Sequence, residues 1–161
     1  MDLEVRRNET FQRREWRVER IGWVLLCVLV LAGLAGFLGP GPFASRTVTS
    51  ERDLVTVEYD RIGHYEADDS VTFTFSRDAA EEGSVTFRLT GAWTTAVDLQ
   101  SIVPEPSDQT AVPDGVVLAV PVDGAGPIRV AISFRAQALG NLPARVSVRD
   151  DAATFDQFVL P

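Results

Sequence analysis

Hydrophobic residues follow two different rhythms along this chain. From Ile21 to Leu38 they form an unbroken run, IGWVLLCVLVLAGLAGFL, eighteen residues with no charge. At about 1.5 Å rise per residue this is roughly 27 Å of helix, near the thickness of a bilayer's hydrocarbon core. A buried helix of a soluble domain is usually shorter and keeps a polar stripe, so the run predicts a transmembrane helix over 21–38. Gly39-Pro40-Gly41-Pro42 then stops it, and 39–46 reads as a linker.

After Ser45 the rhythm becomes alternation, the signature of strands with one wet face. Val71, Phe73 and Phe75 alternate with Thr72, Thr74 and Ser76, and Val85, Phe87 and Leu89 with Thr86, Arg88 and Thr90; a turn from Asp78 to Gly83 is expected to join these two as neighbours. The same alternation marks Ile128 to Arg135 and Arg145 to Arg149. Further strands are expected at Leu54–Tyr59, Ile62–Glu66, Val97–Ile102, Val116–Val122 and Thr154–Leu160, with Pro104, Pro106, Pro113-Asp114-Gly115 and Asp123-Gly124 as breakers. The fold class expected for 47–161 is therefore all-β, an immunoglobulin-like antiparallel β-sandwich of eight or nine strands, with a small barrel as the alternative. Trp93 is expected in its core, with ligand stacking as the other reading.

Charge sets the orientation. Residues 1–20 hold six arginines, Arg6, Arg7, Arg13, Arg14, Arg17 and Arg20, whereas only Arg46 and Arg52 lie close behind the apolar run. By the positive-inside rule the 1–20 segment is cytoplasmic and the β domain lies beyond a bacterial inner membrane, periplasmic or extracellular. Trp16 and Trp23, one heptad apart, are expected as anchors at headgroup depth, and Trp16 also as a handle for a docking partner. A cleaved signal peptide begins in a similar way, but the five acids among the first twenty residues and the length of the apolar run favour an anchor that stays. Ala32 with Gly36, and Ala35 with Gly39, are spaced four apart and are the candidate helix–helix contacts, for a second copy or another membrane protein.

The stretch Phe11–Trp23, FQRREWRVERIGW, leading into an apolar helix that ends in Gly-Pro-Gly-Pro, resembles uncharacterised bacterial single-pass membrane proteins with a small extracytoplasmic β domain. It covers roughly the first forty residues, and what it implies is the anchor, with no activity or ligand attached.

Composition narrows the function. Behind the apolar run nine arginines face eighteen acids, an excess that repels phosphate backbones, so nucleic acid is not an expected partner. Cys27 is the single cysteine and sits inside the run, which excludes an intrachain disulfide and a cysteine nucleophile in the β domain. His64 is the only histidine, and no serine stands in a Gly-x-Ser-x-Gly setting. Glu66, Asp68 and Asp69, Asp78, Glu81 and Glu82, and Asp150 and Asp151 supply oxygen ligands of the kind calcium takes, but none matches an EF-hand spacing. The expectation is a non-enzymatic, membrane-anchored interaction module with no catalytic residues, metal or cofactor. Its partners would be the lipid bilayer and a membrane protein or a second copy; the alternative is a module binding an extracytoplasmic glycan, peptide or ion.

Overall fold

The structure is a computed structural model that describes residues 9–34 and 45–161, with side chains from residue 16 onward. The chain divides into two compact units, Met1–Phe43 and Ala44–Pro161.

The first unit contains one helix, α1 (Glu9–Leu34), which runs without a break from the charged segment into the apolar one. Ile21, Val24, Leu25, Leu26, Val28 and Leu29 are all exposed, so apolar side chains point outward around its whole circumference. Among the described residues no helix is long and apolar enough to cross a membrane. The described apolar part, Ile21–Leu34, would cover about 21 Å, short of the roughly 30 Å of a hydrocarbon core. The remainder of the expected span, together with Ala35, Gly36 and Gly39, lies outside the described residues.

The second unit is a β-sandwich with eleven strands among the described residues. One sheet contains β1 (Ser45–Thr49), β2 (Val55–Asp60), β4 (Asp68–Phe75), β9 (Ile128–Ala136) and β6 (Val97–Val103), in the order β1-β2-β4-β9-β6. The other contains β3 (Ile62–His64), β11 (Asp151–Leu160), β10 (Gly140–Val148), β5 (Ser84–Thr90), β8 (Gly115–Pro121) and β7 (Asp108–Val112), in the order β3-β11-β10-β5-β8-β7. We call these the first and second sheets. A short helix, α2 (Ala92–Ala96), lies between β5 and β6.

The inward rows are those the alternation marks. Val55, Val57 and Tyr59, Val71, Phe73 and Phe75, and Val130, Ile132 and Phe134 face Phe87, Leu89, Leu118, Val146 and Phe155 across the core. Aromatic rings bridge the sheets, Phe75 to Phe87 at 4.8 Å and Tyr59 to Phe155 at 5.1 Å between centroids, and Trp93 of α2 packs edge-on to Phe134 at 4.7 Å.

Three expectations need correction. The strands around Phe73 and Phe87 are not paired neighbours: β4 lies between β2 and β9, and β5 between β10 and β8. A 3-10 turn at Arg77–Ala79, with Ala79 buried, carries the chain from one sheet to the other, so both aromatic rows are buried face to face instead of side by side. The sandwich is also not wholly antiparallel, because β3 runs parallel to β11. Finally, two strands were hidden: β1 begins inside the segment expected as linker, and β7 lies among prolines.

Candidate functional site

The conspicuous polar feature of the interior is centred on β11. In the inward row Phe155, Gln157, Val159, the middle residue is an amide, yet it is only 2% exposed. A buried amide is costly unless its hydrogen-bonding capacity is met, and here it is met. Its Oε1 accepts from Trp93 Nε1 at 3.2 Å, and its Nε2 donates to the Asp60 carbonyl at 3.1 Å and to Asp69 Oδ2 at 2.6 Å. Asp69 Oδ1 accepts from the Ser70 amide at 2.7 Å. The cluster joins β4 of the first sheet to β11 of the second, where the chain leaves β2 and crosses to β3.

Gly63, on β3, makes room for this cluster. A Cβ there would stand 3.0 Å from Gln157 Nε2 and 3.2 Å from Asp69 Oδ2. Burial pushes the Asp69 carboxyl above its ordinary value, and the bonds from Ser70 and Gln157 offset only part of that. With both donors of the amide engaged, the cluster works as a clasp between sheets.

A second carboxylate ties the sheets elsewhere. Asp151, first residue of β11, accepts from the amides of Arg52 at 3.2 Å and Leu54 at 3.3 Å through Oδ2, and of Ala152 at 3.0 Å through Oδ1. Desolvation pushes this carboxyl up, but these bonds and one from Ser50 outweigh it and hold Asp151 below the usual carboxylate range. Ser50 Oγ in turn accepts from the Val55 amide at 3.0 Å, so the β1–β2 turn is fastened to the start of β11.

The remaining acidic residues do not converge. Asp68 pairs with Arg135 at 2.6 Å and Glu81 with Arg149 at 3.0 Å, while Asp69 and Asp151 are turned to the bonds above. Among the described residues no group of three or more His, Cys, Asp and Glu is placed to hold a metal ion. His64 is exposed at the end of β3 and makes no side-chain hydrogen bond among the described residues. Trp93 is in the core at 1% exposure and Tyr59 is buried, leaving Tyr65 as the exposed member of the three aromatics that could have formed a stacking platform.

On α1, Trp16 and Trp23 are both exposed, and the Arg20 guanidinium lies 3.7 Å over the Trp16 ring, a cation–π contact one helical turn long. Cys27 is an exposed free thiol. Ala32 is the one helix–helix candidate among the described residues, and it is half-buried.

Sequence reading missed Gln157, and took Asp69 only as an oxygen ligand of the kind calcium takes, not as its partner. The signal was available: each is a polar residue at an inward position of an alternating strand, in register with Phe155 and Val159 or with Val71 and Phe73.

No protein-family model matches the chain, and no curated protein matches it either. Among solved structures it is similar to a cohesin module from the Clostridium perfringens ATCC13124 family 33 glycoside hydrolase, at 11% identity and a TM-score of 0.46. That likeness covers 70% of this chain and 96% of the module.

Proposed function

We infer that this chain is a non-enzymatic interaction module, an accessory or assembly subunit of a bacterial membrane or envelope complex. In this reading its helix stays in the inner membrane as an anchor, and it presents an extracytoplasmic sandwich of immunoglobulin-like layout. The observation that carries the reading is the run Ile21–Leu38 behind six arginines, whose described part exposes large apolar side chains on every side of α1. A helix apolar all round needs either a protein core or lipid around it. The interior of the sandwich supports the non-enzymatic part, because its buried amide spends both donors within the Gln157 cluster, and His64, though within electrostatic reach of Asp69, makes no side-chain hydrogen bond to it among the described residues. The burial of Trp93 and Tyr59 weighs against ligand stacking.

The test is fractionation of bacteria expressing the full chain. It should remain in membranes after an alkaline carbonate wash, and protease added to spheroplasts should digest the β domain while sparing an N-terminal tag. Recovery as a freely dissolved cytosolic protein, or as a released form lacking everything before Ala44, would overturn the reading.

A further inference from the structure

The sandwich has four exposed large hydrophobic side chains among the described residues, and three of them stand at one corner. Phe158, 49% exposed, points outward from β11 two residues before Leu160. The Leu160 carbonyl accepts from the Tyr65 amide at 2.8 Å, which sets Tyr65, 42% exposed, just past β3. Leu139, 57% exposed, precedes Gly140, the register partner of Val159, and so lies opposite the same end of β11. The fourth, Val103, belongs to the far end of β6.

This corner is also where the chain enters the sandwich. Ser45, the first residue of β1, pairs with Asp60, and the carbonyl of the next residue, Arg61, accepts from the Phe158 amide at 2.7 Å. Between Leu38, where the apolar run ends, and Ser45 there are only residues 39–44. Fully stretched, that chain reaches about 25 Å, less than the roughly 33 Å length of the ten-residue β11. Charge around the corner is close to balanced, unlike that of the acidic domain as a whole. Arg46 and Arg61 stand with Asp60 and Glu66, Asp68 is paired to Arg135, and Asp156, next along the outer face of β11, has Arg145 diagonally across the ladder.

Resting on the reading of the chain as membrane-anchored, we propose that this corner of the sandwich docks on the surface of the lipid bilayer, with Phe158, Tyr65 and Leu139 seated among the headgroups and the upper acyl chains. A tether shorter than the domain is long keeps the Ser45 end near the place where the apolar run leaves lipid. Exposed apolar side chains gathered at that end have an interface within reach that takes them out of water. A phenol suits it, with its ring at the acyl boundary and its hydroxyl wet, and the phenyl and isobutyl groups of Phe158 and Leu139 add buried area. The charge balance fits the same occupant. A corner with no net negative charge is not repelled by lipid phosphates, and one with no cluster of cations does not depend on anionic lipid. A zwitterionic bilayer is therefore sufficient, and the contact holds the sandwich to lipid at one corner while the loop at Asp123, at the opposite end, stays in water.

The test reconstitutes the full chain in phosphatidylcholine vesicles, with one environment-sensitive fluorophore attached through Leu139→Cys, Phe158→Cys or Asp123→Cys, each in a Cys27→Ser background. Lipids carrying a nitroxide near the headgroup should quench the labels at 139 and 158, whose emission should also shift to the blue, and should leave the label at 123 unquenched. Adding Tyr65→Asp and Phe158→Asp to the chain labelled at 139 should remove most of that quenching. High salt should not, because apolar contact and not charge holds the corner. All the substituted side chains are exposed, and an unchanged thermal midpoint verifies folding of each variant. Labels at 139 and 158 that stay as wet as the one at 123, or equal quenching at all three, would overturn the proposal. So would a blue shift without quenching by lipid, the sign of a second copy covering the corner. The carbonate wash is scored separately on the same vesicles. A wet corner in a retained chain refutes the corner contact alone, a quenched corner in a released chain refutes the anchor alone, and a wet corner in a released chain refutes both.

Discussion

Asp69 and Asp151 both fasten one sheet to the other, at two different corners of the sandwich, and burial acts on them in the same direction. Their outcomes are opposite. Asp151 meets three backbone amides and the Ser50 hydroxyl, and its carboxyl is held below its ordinary value. Asp69 meets one amide and one side-chain N–H, and its carboxyl ends above that value. The number of donors delivered by fixed backbone separates the two cases. A turn that aims several N–H groups at one carboxylate stabilises its charge more than desolvation disfavours it, whereas a single flexible amide does not. The corner at Asp151 is therefore built around an anion, and the corner at Asp69 around the neutral amide of Gln157.

The sharpest way to break this contrast is to remove the charged acceptor. Asp151→Ala leaves the Arg52, Leu54 and Ala152 amides without their acceptor, and bonds to charged groups are worth about 1.5–3 kcal/mol each before water compensates at a corner. A net loss of about 3–4 kcal/mol is expected, read as a lower urea midpoint with an unchanged slope. Gln157→Leu attacks the other corner and strands Trp93 Nε1, the Asp60 carbonyl and half of Asp69. It should cost about 2–3 kcal/mol by the same measurement, and Trp93 fluorescence should change with it because the indole loses its partner. If the two losses proved equal, or reversed, the distinction between an anion-centred and an amide-centred corner would fail.

Gly63→Ala is a gentler probe of the amide corner. The added methyl stands 3.0 Å from Gln157 Nε2 and 3.2 Å from Asp69 Oδ2. Those groups must give by a few tenths of an ångström, and a loss of about 1–2 kcal/mol is expected. Combined with Gln157→Leu, much of the Gly63→Ala cost should disappear, since the crowded atoms belong to the same cluster.

Most of the strand rows were legible in the sequence, because alternation reports burial and burial is local to each strand. Pairing was not, because it depends on what the connections do. The expected hairpin between the Phe73 and Phe87 strands fails for this reason: both rows are apolar enough to form one buried layer each, and the 3-10 turn at Arg77–Ala79 supplies the crossing. β10 begins at Gly140, ahead of the expected strand at Arg145–Arg149, and tolerates Pro143 because pairing with β5 begins only at Arg145, so no ladder is interrupted on that side. β7 was lost among Pro104, Pro106 and Pro113, although Pro113-Asp114 is the two-residue turn that joins it to β8. Gly115 follows that turn where a side chain would collide with the Leu89 backbone, a constraint of packing that no local pattern announces. The polar clasp could have been found, since Gln157 and Asp69 occupy inward positions. Their partnership could not, because it joins residues 88 apart across two sheets.

The smallest predicted effect concerns acidity, and the two carboxylates should reveal themselves on opposite limbs of one curve. A carboxyl held low by folding, Asp151, contributes stability that is present above its ordinary value of 3.8 and is lost as pH falls through the lower folded value. A carboxyl pushed up by folding, Asp69, acts in reverse: its contribution is complete below 3.8 and is lost as pH rises through the higher folded value, because the folded state then holds an ion it disfavours. Asp69→Asn should therefore flatten the decline of stability on the side above 3.8 and leave the acid limb intact, while Asp151→Asn should flatten the acid limb alone. Thermal midpoints of the two variants and the parent across the acidic range would separate these effects. A common shift of both limbs in either variant would mean that the carboxylates titrate as one unit and that the two corners are coupled through β11, which carries Asp151 at its start and Gln157 near its end.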